Sequence, residues 1–134
     1  MRRGYAAVLT ALLATACASD SHVSCQAGER STVVDTLYFG GAYPDGVVTP
    51  AQWGDFVDSV VTPRFPEGLT VIEAAGQYRT ATGVIQHEPS WVLQLVHADG
   101  AATEAAIREI KTAYQTQFKQ EAVLRVRSKA CVSF

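Results

Sequence analysis

The stretch "TPAQWGDFVDSVVTPRF", residues 49–65, decides the fold. Thr49 is a helix-capping type, Pro50 suits the first helical position, and Gln52 stands three residues after the cap. Together they form a capping box with a proline start. Trp53, Phe56, Val57, Val60 and Val61 then recur at the spacing of one helical face, with Asp55 and Asp58 off it. Pro63 ends the run, because it lacks an N–H and its ring crowds the preceding turn. One amphipathic helix is therefore expected here, with a single apolar face to lay on a neighbour.

The flanking segments supply that neighbour. "TVVDTLYFGG" (32–41) is β-branched and aromatic and stops at a glycine pair, so it reads as a strand. "AYPDGVV" (42–48) is a turn-rich loop. After the Pro66–Gly68 turn, "LTVIEAAGQYR" and "VIQHEPSWVLQLVHA" flank "TATG" (80–83) as an antiparallel hairpin. Pro89 cannot donate to a ladder, so a bulge or break is expected there. Trp91, Leu93 and Leu95 fall on one face of this strand, and Val92, Gln94 and Val96 on the other. A second helix is expected from about Asp99 to Lys119, with Glu104 and Arg108 as a favourable i,i+4 pair. The final run, "AVLRVRSKACVSF" (122–134), alternates. Leu124, Val126, Ala130, Val132 and Phe134 lie on one side, and Arg125, Arg127, Lys129 and Cys131 on the other.

The order β-α-β-β-α-β is the ferredoxin-like plan, an α+β fold with a four-stranded antiparallel sheet and two helices on one face. Its usual strand order, 4-1-3-2, sets the last strand beside the first. Cys131 then approaches the start of the first strand, a few residues from Cys25.

The front of the chain reads differently. Arg2 and Arg3 precede an apolar run, Gly4–Leu13, and small residues lead to Cys17, which is the layout of a secretory signal. The run is about half the roughly 20 residues that span a bilayer. "LLATAC" resembles a bacterial lipobox, which implies lipid on Cys17 and a membrane anchor, although Ala14 stands where that pattern most often has Leu. Cleavage after "ATA" or "ACA" by ordinary signal peptidase is the alternative. Residues 1–16 are thus a signal peptide, 17–31 a polar tether and 32–134 one domain. Three cysteines leave one odd, and lipid on Cys17 leaves Cys25 and Cys131 to pair in an oxidising envelope. The 118 residues after the signal carry nine Lys and Arg against thirteen Asp and Glu, a formal charge of −4. That balance argues against nucleic acid as a partner.

"LYFG", the capped helix running into "VTPRFPEGLTV", "GQYR" and "YQTQFKQEAVLRV" resemble a bacterial family catalogued as domain of unknown function 3574. The resemblance covers Val34–Phe134, with Tyr78 where the family most often has tryptophan. It implies an envelope location and a small α+β domain, and it brings no established activity.

No catalytic constellation emerges. His22, His87 and His97 have no metal-ligand spacing, no phosphate-cradling loop or nucleophile elbow occurs, and neither a metal nor a cofactor is expected. Arg64, between two prolines, is read as bonding the carbonyls of a helix end, with anion clamping as the rival role. His87 beside Glu88 is read as surface rather than as a general base. With Leu37 and Phe39 toward the helices, Thr36, Tyr38, Val92, Gln94, Val96, Arg125 and Arg127 are expected on the open face. That mixed surface suggests a binding or structural role, with homodimer pairing as one outcome. The alternative is a cofactor-independent enzyme, like the dimeric α+β barrel oxygenases and isomerases, with Arg125, Tyr38 and His87 around a pocket.

Overall fold

The computed structural model describes residues 24–134, so the leader and Cys17 lie outside the described residues. Strand β1 (Arg30–Gly40) is followed by a small hairpin, β2 (Ala42–Tyr43) and β3 (Gly46–Val47). Helix α1 (Pro50–Phe56), strands β4 (Thr70–Arg79) and β5 (Ile85–His97), helix α2 (Ala101–Phe118) and strand β6 (Leu124–Val132) complete the chain. The four long strands are antiparallel in the order β4-β5-β1-β6, so the first and last are neighbours. The chain is an α+β, ferredoxin-like domain.

α1 starts as its chemistry dictates. The Gln52 amide donates to Thr49 Oγ1 at 3.2 Å, and the Thr49 amide donates to Gln52 Oε1 at 2.8 Å. The last turn, Val57–Val61, widens into π-helix, and Thr62 N–H reaches back to the Val57 carbonyl at 2.9 Å. Pro63 explains this ending, since it cannot donate and its ring would press on the Ser59 carbonyl. Trp53, Phe56 and Val61 are buried, while Val57 and Val60 pack at the margin.

Both helices lie on one face of the sheet. Trp53 stacks on Trp91 with ring centroids 5.1 Å apart, and Phe39 meets Tyr114 edge-on at 4.7 Å. Leu37, Leu93, Leu95, Ile107 and Ile110 fill the layer between and are fully buried. Each such side chain contributes about 1.5–3 kcal/mol relative to exposure. Tyr114 is buried whole, and its hydroxyl donates to the Gly40 carbonyl at 2.8 Å.

Three local expectations change. β1 begins at Arg30, inside the stretch read as tether, because a turn at Gln26–Glu29 folds the arm back. In that turn Gly28 has φ +89°, the Glu29 amide donates to the Gln26 carbonyl, and the Gln26 amide donates to Glu29 Oε2. The turn brings Cys25 to Cys131, and the two form a disulfide. The second change is at Pro89, where the β4–β5 ladder runs on without a break, with Ala75 opposite. The Pro89 carbonyl accepts from Gly41 N–H, where β1 leaves the sheet, so its missing donor falls where no ladder bond is due. Third, Glu104 bonds across to β6 rather than to Arg108.

A fourth difference matters most for function. Leu37 stands opposite Arg125, and Asp35 opposite Arg127. Both arginines therefore share the helix-side face with Leu37, and Leu124 and Val126 turn to the open face. The expected placement of Arg125 and Arg127 beside Tyr38 is wrong. The cause is Asp35, which follows the inward alternation of β1 and has no exposed surface. A buried carboxylate needs a cation within reach, and that requirement outweighs the preference of two apolar side chains on an edge strand.

Candidate functional site

Two regions of this arrangement gather ionisable side chains in a defined geometry. The first lies at the sheet margin between β6 and α2. Arg125 donates from Nε to Asp35 Oδ1 at 2.6 Å and from Nη2 to Asp35 Oδ2 at 2.7 Å. It also donates to both oxygens of Glu104, at 2.8 and 2.7 Å. Arg127 bonds Glu104 at 2.6 Å and also Asp99. His97 Nε2 meets Asp35 Oδ2 at 2.8 Å, and its Nδ1 meets the Ala98 carbonyl at 2.8 Å. Both ring nitrogens of His97 thus lie within hydrogen-bond reach of an oxygen.

The electrostatics follow the contacts. Burial opposes charge on Asp35, but the Arg125 fork and His97 outweigh it and hold the carboxyl below its ordinary range. The Arg125 hydrogen bond pulls Glu104 down to about 2. Glu104 and Asp35 in turn raise Arg125 above its ordinary value, so it stays charged. Among the described residues no buried side-chain polar atom lacks a partner. The buried atoms of this network are thus spent on one another, and its exposed edge is at Arg127, Glu104 and Asp99.

The second region is a cleft of about 250 Å³ at one end of the open face. Beyond Gly40 the β4–β5 hairpin continues alone, and its tip reaches the loop between α2 and β6. Tyr78 donates its hydroxyl to Glu121 Oε2 at 2.7 Å, and Ala81 N–H donates to the same oxygen at 3.2 Å. Gln115 holds the loop by donating to the Glu121 carbonyl, and Gln120 by donating to the Ala42 carbonyl. Tyr38, Leu124 and Tyr78 give the cleft its apolar surface, and Glu88, Ser90 and Glu121 give it polar groups. Glu88 Oε2 accepts from Ala42 N–H at 2.8 Å, and a Cβ at Gly40 would collide with Glu88 Oε1, so any larger residue there would push that carboxylate aside. The Glu121 hydrogen bond raises the Tyr78 phenol above its ordinary value, so it remains a donor.

Of the residues singled out in the sequence, Tyr38 lines this cleft, whereas Arg125, Arg127, Arg64 and His87 do not. Arg64 donates to the Val60 carbonyl at 2.7 Å, a helix-end bond, and to the Glu109 carboxylate of α2 at 3.1 Å. His87 is exposed, and as the immediate neighbour of Glu88 on β5 it points to the other face. The constellation of Arg125, Tyr38 and His87 is therefore not assembled in one copy of the chain. Among the described residues the one group of three metal-type donors is Cys25, Glu29 and Cys131, and its two sulfurs are bonded to each other.

Sequence reading gives Asp35 and Glu121 no role, sets His97 aside as a metal ligand, pairs Glu104 with Arg108, and reads Glu88 beside His87 as surface. The signal for Asp35 was present: it alternates in phase with Val33, Leu37 and Phe39, and a charge in that phase demands a cation. Nothing local marks Glu88 or Glu121, because the bent hairpin alone brings them to one cleft.

The open face spans Thr32–Tyr38 of β1 and the residues paired with it, and it ends near the cleft. Within that region it carries no charged side chain. Ile72, Val96, Leu124 and Val126 remain 54%, 46%, 60% and 49% exposed.

The family profile described as "Protein of unknown function (DUF3574)" matches residues 34–134, and the chain belongs to that family. No curated protein sequence matches it. Among solved structures, a phage SAM lyase in complex with S-methyl-5′-thioadenosine is similar with a TM-score of 0.59 and 14% identity, over 77% of this chain and 90% of that one. A phage SAM lyase in the apo state gives 0.57 and 15%, over 85% and 97%. CutA from Synechococcus elongatus PCC7942 gives 0.54 and 12%, over 78% and 83%. At these identities the likeness is one of fold.

Proposed function

We propose that this member of the family of unknown function 3574 is a non-catalytic binding domain of the bacterial cell envelope. In this reading lipid on Cys17 holds it to the membrane, and its open sheet face pairs with a second copy of the chain. The observation that carries the pairing is the phase of β6. With Arg125 and Arg127 drawn inward by Asp35, the open face is left uncharged and largely apolar across all four strands.

A second copy fits that surface better than a charged partner. Two uncharged faces meet without like-charge repulsion and leave no buried ion unpaired. Over Thr32–Tyr38 and its partners, seven residues per strand at about 3.3 Å each and strands about 4.8 Å apart, the uncharged face presents about 440 Å². That is about half of the roughly 800 Å² each partner contributes to a standard interface, which suits a concentration-dependent pairing. The fold also accommodates S-methyl-5′-thioadenosine in a phage SAM lyase, which favours a binding role without lending this chain any of that protein's residues.

Light scattering across a concentration series tests the pairing. The unaltered chain should double its mass, and Val126→Asp, at an exposed position, should remain single while keeping its fold by circular dichroism. A single-copy mass for the unaltered chain at high concentration would end the proposal. Membrane fractionation tests the anchor, since Cys17→Ala should move the protein to the soluble fraction.

A further inference from the structure

We propose that the cleft between the β4–β5 hairpin and the α2–β6 loop binds a small organic ammonium ion with an aromatic or apolar body. This does not rest on pairing through the open face, because one copy of the chain forms the cleft.

The cleft combines three features that suit such a ligand. Its apolar surface is built from Tyr38, Tyr78 and Leu124, so a hydrocarbon or ring has contacts to replace water. A cation within about 6 Å of a tyrosine face is also attracted by the ring quadrupole. Its two ionisable acids, Glu88 and Glu121, each commit Oε2 to backbone or hydroxyl donors. Among the described residues neither acid forms an ion pair, whereas Asp35, Asp99 and Glu104 at the sheet margin all do. Negative charge beside an aromatic cleft without a protein cation is complementary to a ligand that brings its own.

The geometry also narrows the ligand class. A divalent metal wants several oxygen ligands, and Glu88 and Glu121 belong to no group of three metal-type donors among the described residues. An anion would face two carboxylates with no described cation in the lining. The cleft's 250 Å³ lies below the range of about 300–1000 Å³ usual for drug-sized ligands, which points to a compact amine. Tyr78, kept protonated by Glu121, bonds the hairpin tip across the cleft and sets its width.

The experiment is a titration of the full chain in detergent micelles at neutral pH, read by the ring signals of Tyr38 and Tyr78. The probes are benzylammonium, its neutral counterpart benzyl alcohol, and benzoate. Benzylammonium should saturate both signals about tenfold more tightly than benzyl alcohol, as one charge-assisted hydrogen bond implies, with benzoate weakest. Glu88→Gln and Glu121→Gln should each lose that advantage and leave benzyl alcohol unchanged. In Glu121→Gln the side-chain amide oxygen can still accept from Tyr78 and Ala81, so the cleft stays shaped. Val126→Asp, which keeps Tyr38, Tyr78, Leu124, Glu88 and Glu121, should still prefer benzylammonium over benzyl alcohol, whether or not it self-pairs. Equal affinity for ammonium and alcohol, no saturable shift with any probe, or full affinity in both glutamine variants would overturn the proposal.

Discussion

Arg125 meets Asp35 edge to edge, with Nε and Nη2 on the two carboxylate oxygens at 2.6 and 2.7 Å. This contact joins β1 to β6 on the helix side, and it decides which way the whole of β6 faces. The open face is free of charge because both side chains of this pair point to the helix side.

Arg125→Met should destabilise the domain by about 3–5 kcal/mol, since it strands a buried carboxylate without its cation. Asp35→Leu combined with Arg125→Met should recover most of that loss, because no uncompensated charge then remains at the centre. Chemical denaturation of the single and double variants measures both. A double variant as unstable as the single one would show that the contact matters by shape rather than by charge.

Stability should fall as acid is added, and the sign follows from the two carboxyls. Asp35 lies below its ordinary value in the folded state, and Glu104 falls from 4.5 to about 2. The unfolded chain therefore takes up protons first, and their contribution is present above the ordinary carboxylate range and lost between about pH 5 and pH 2. Arg125 and Arg127 from β6, His97 from β5 and Asp99 ahead of α2 surround the two carboxyls. Thermal melts from pH 7 to pH 2 should show this decline, and Arg125→Met should flatten it.

Serine at Cys25 and Cys131 should cost up to about 4–5 kcal/mol, since the bond closes a loop across 106 residues and restricts the unfolded chain. The loss should match that from reducing the unaltered protein. Denaturation with and without reductant measures it, and equal midpoints would mean the arm contributes nothing to stability.

The helix in residues 49–65 was legible because capping chemistry and apolar spacing act within a few residues. Strand order was legible because β-α-β-β-α-β connectivity admits few layouts. The facing of β6 was not. Its own alternation fits either face, and the choice lay 90 residues away in Asp35, whose in-phase position among Val33, Leu37 and Phe39 was read as ordinary strand. Tyr38 lies on the open face opposite Leu124 and also lines the cleft. Glu88 and Glu121 did not announce themselves, since their proximity depends on how far a hairpin bends past the end of β1.

That bend gives a local prediction. Tyr78→Phe removes the hydroxyl that ties the hairpin tip to Glu121, and the Ala81 amide then holds the same oxygen alone at 3.2 Å. Both residues are exposed, so global stability should hardly change. Locally the effect should be larger: amide exchange at residues 79–85 should quicken several-fold while the core strands β1 and β5 beyond His87 keep their protection. Exchange read residue by residue separates the two outcomes. Uniform acceleration across the sheet would mean that the tip is part of the cooperative core, and unchanged exchange at 79–85 would mean that Tyr78 does not set the width of the cleft.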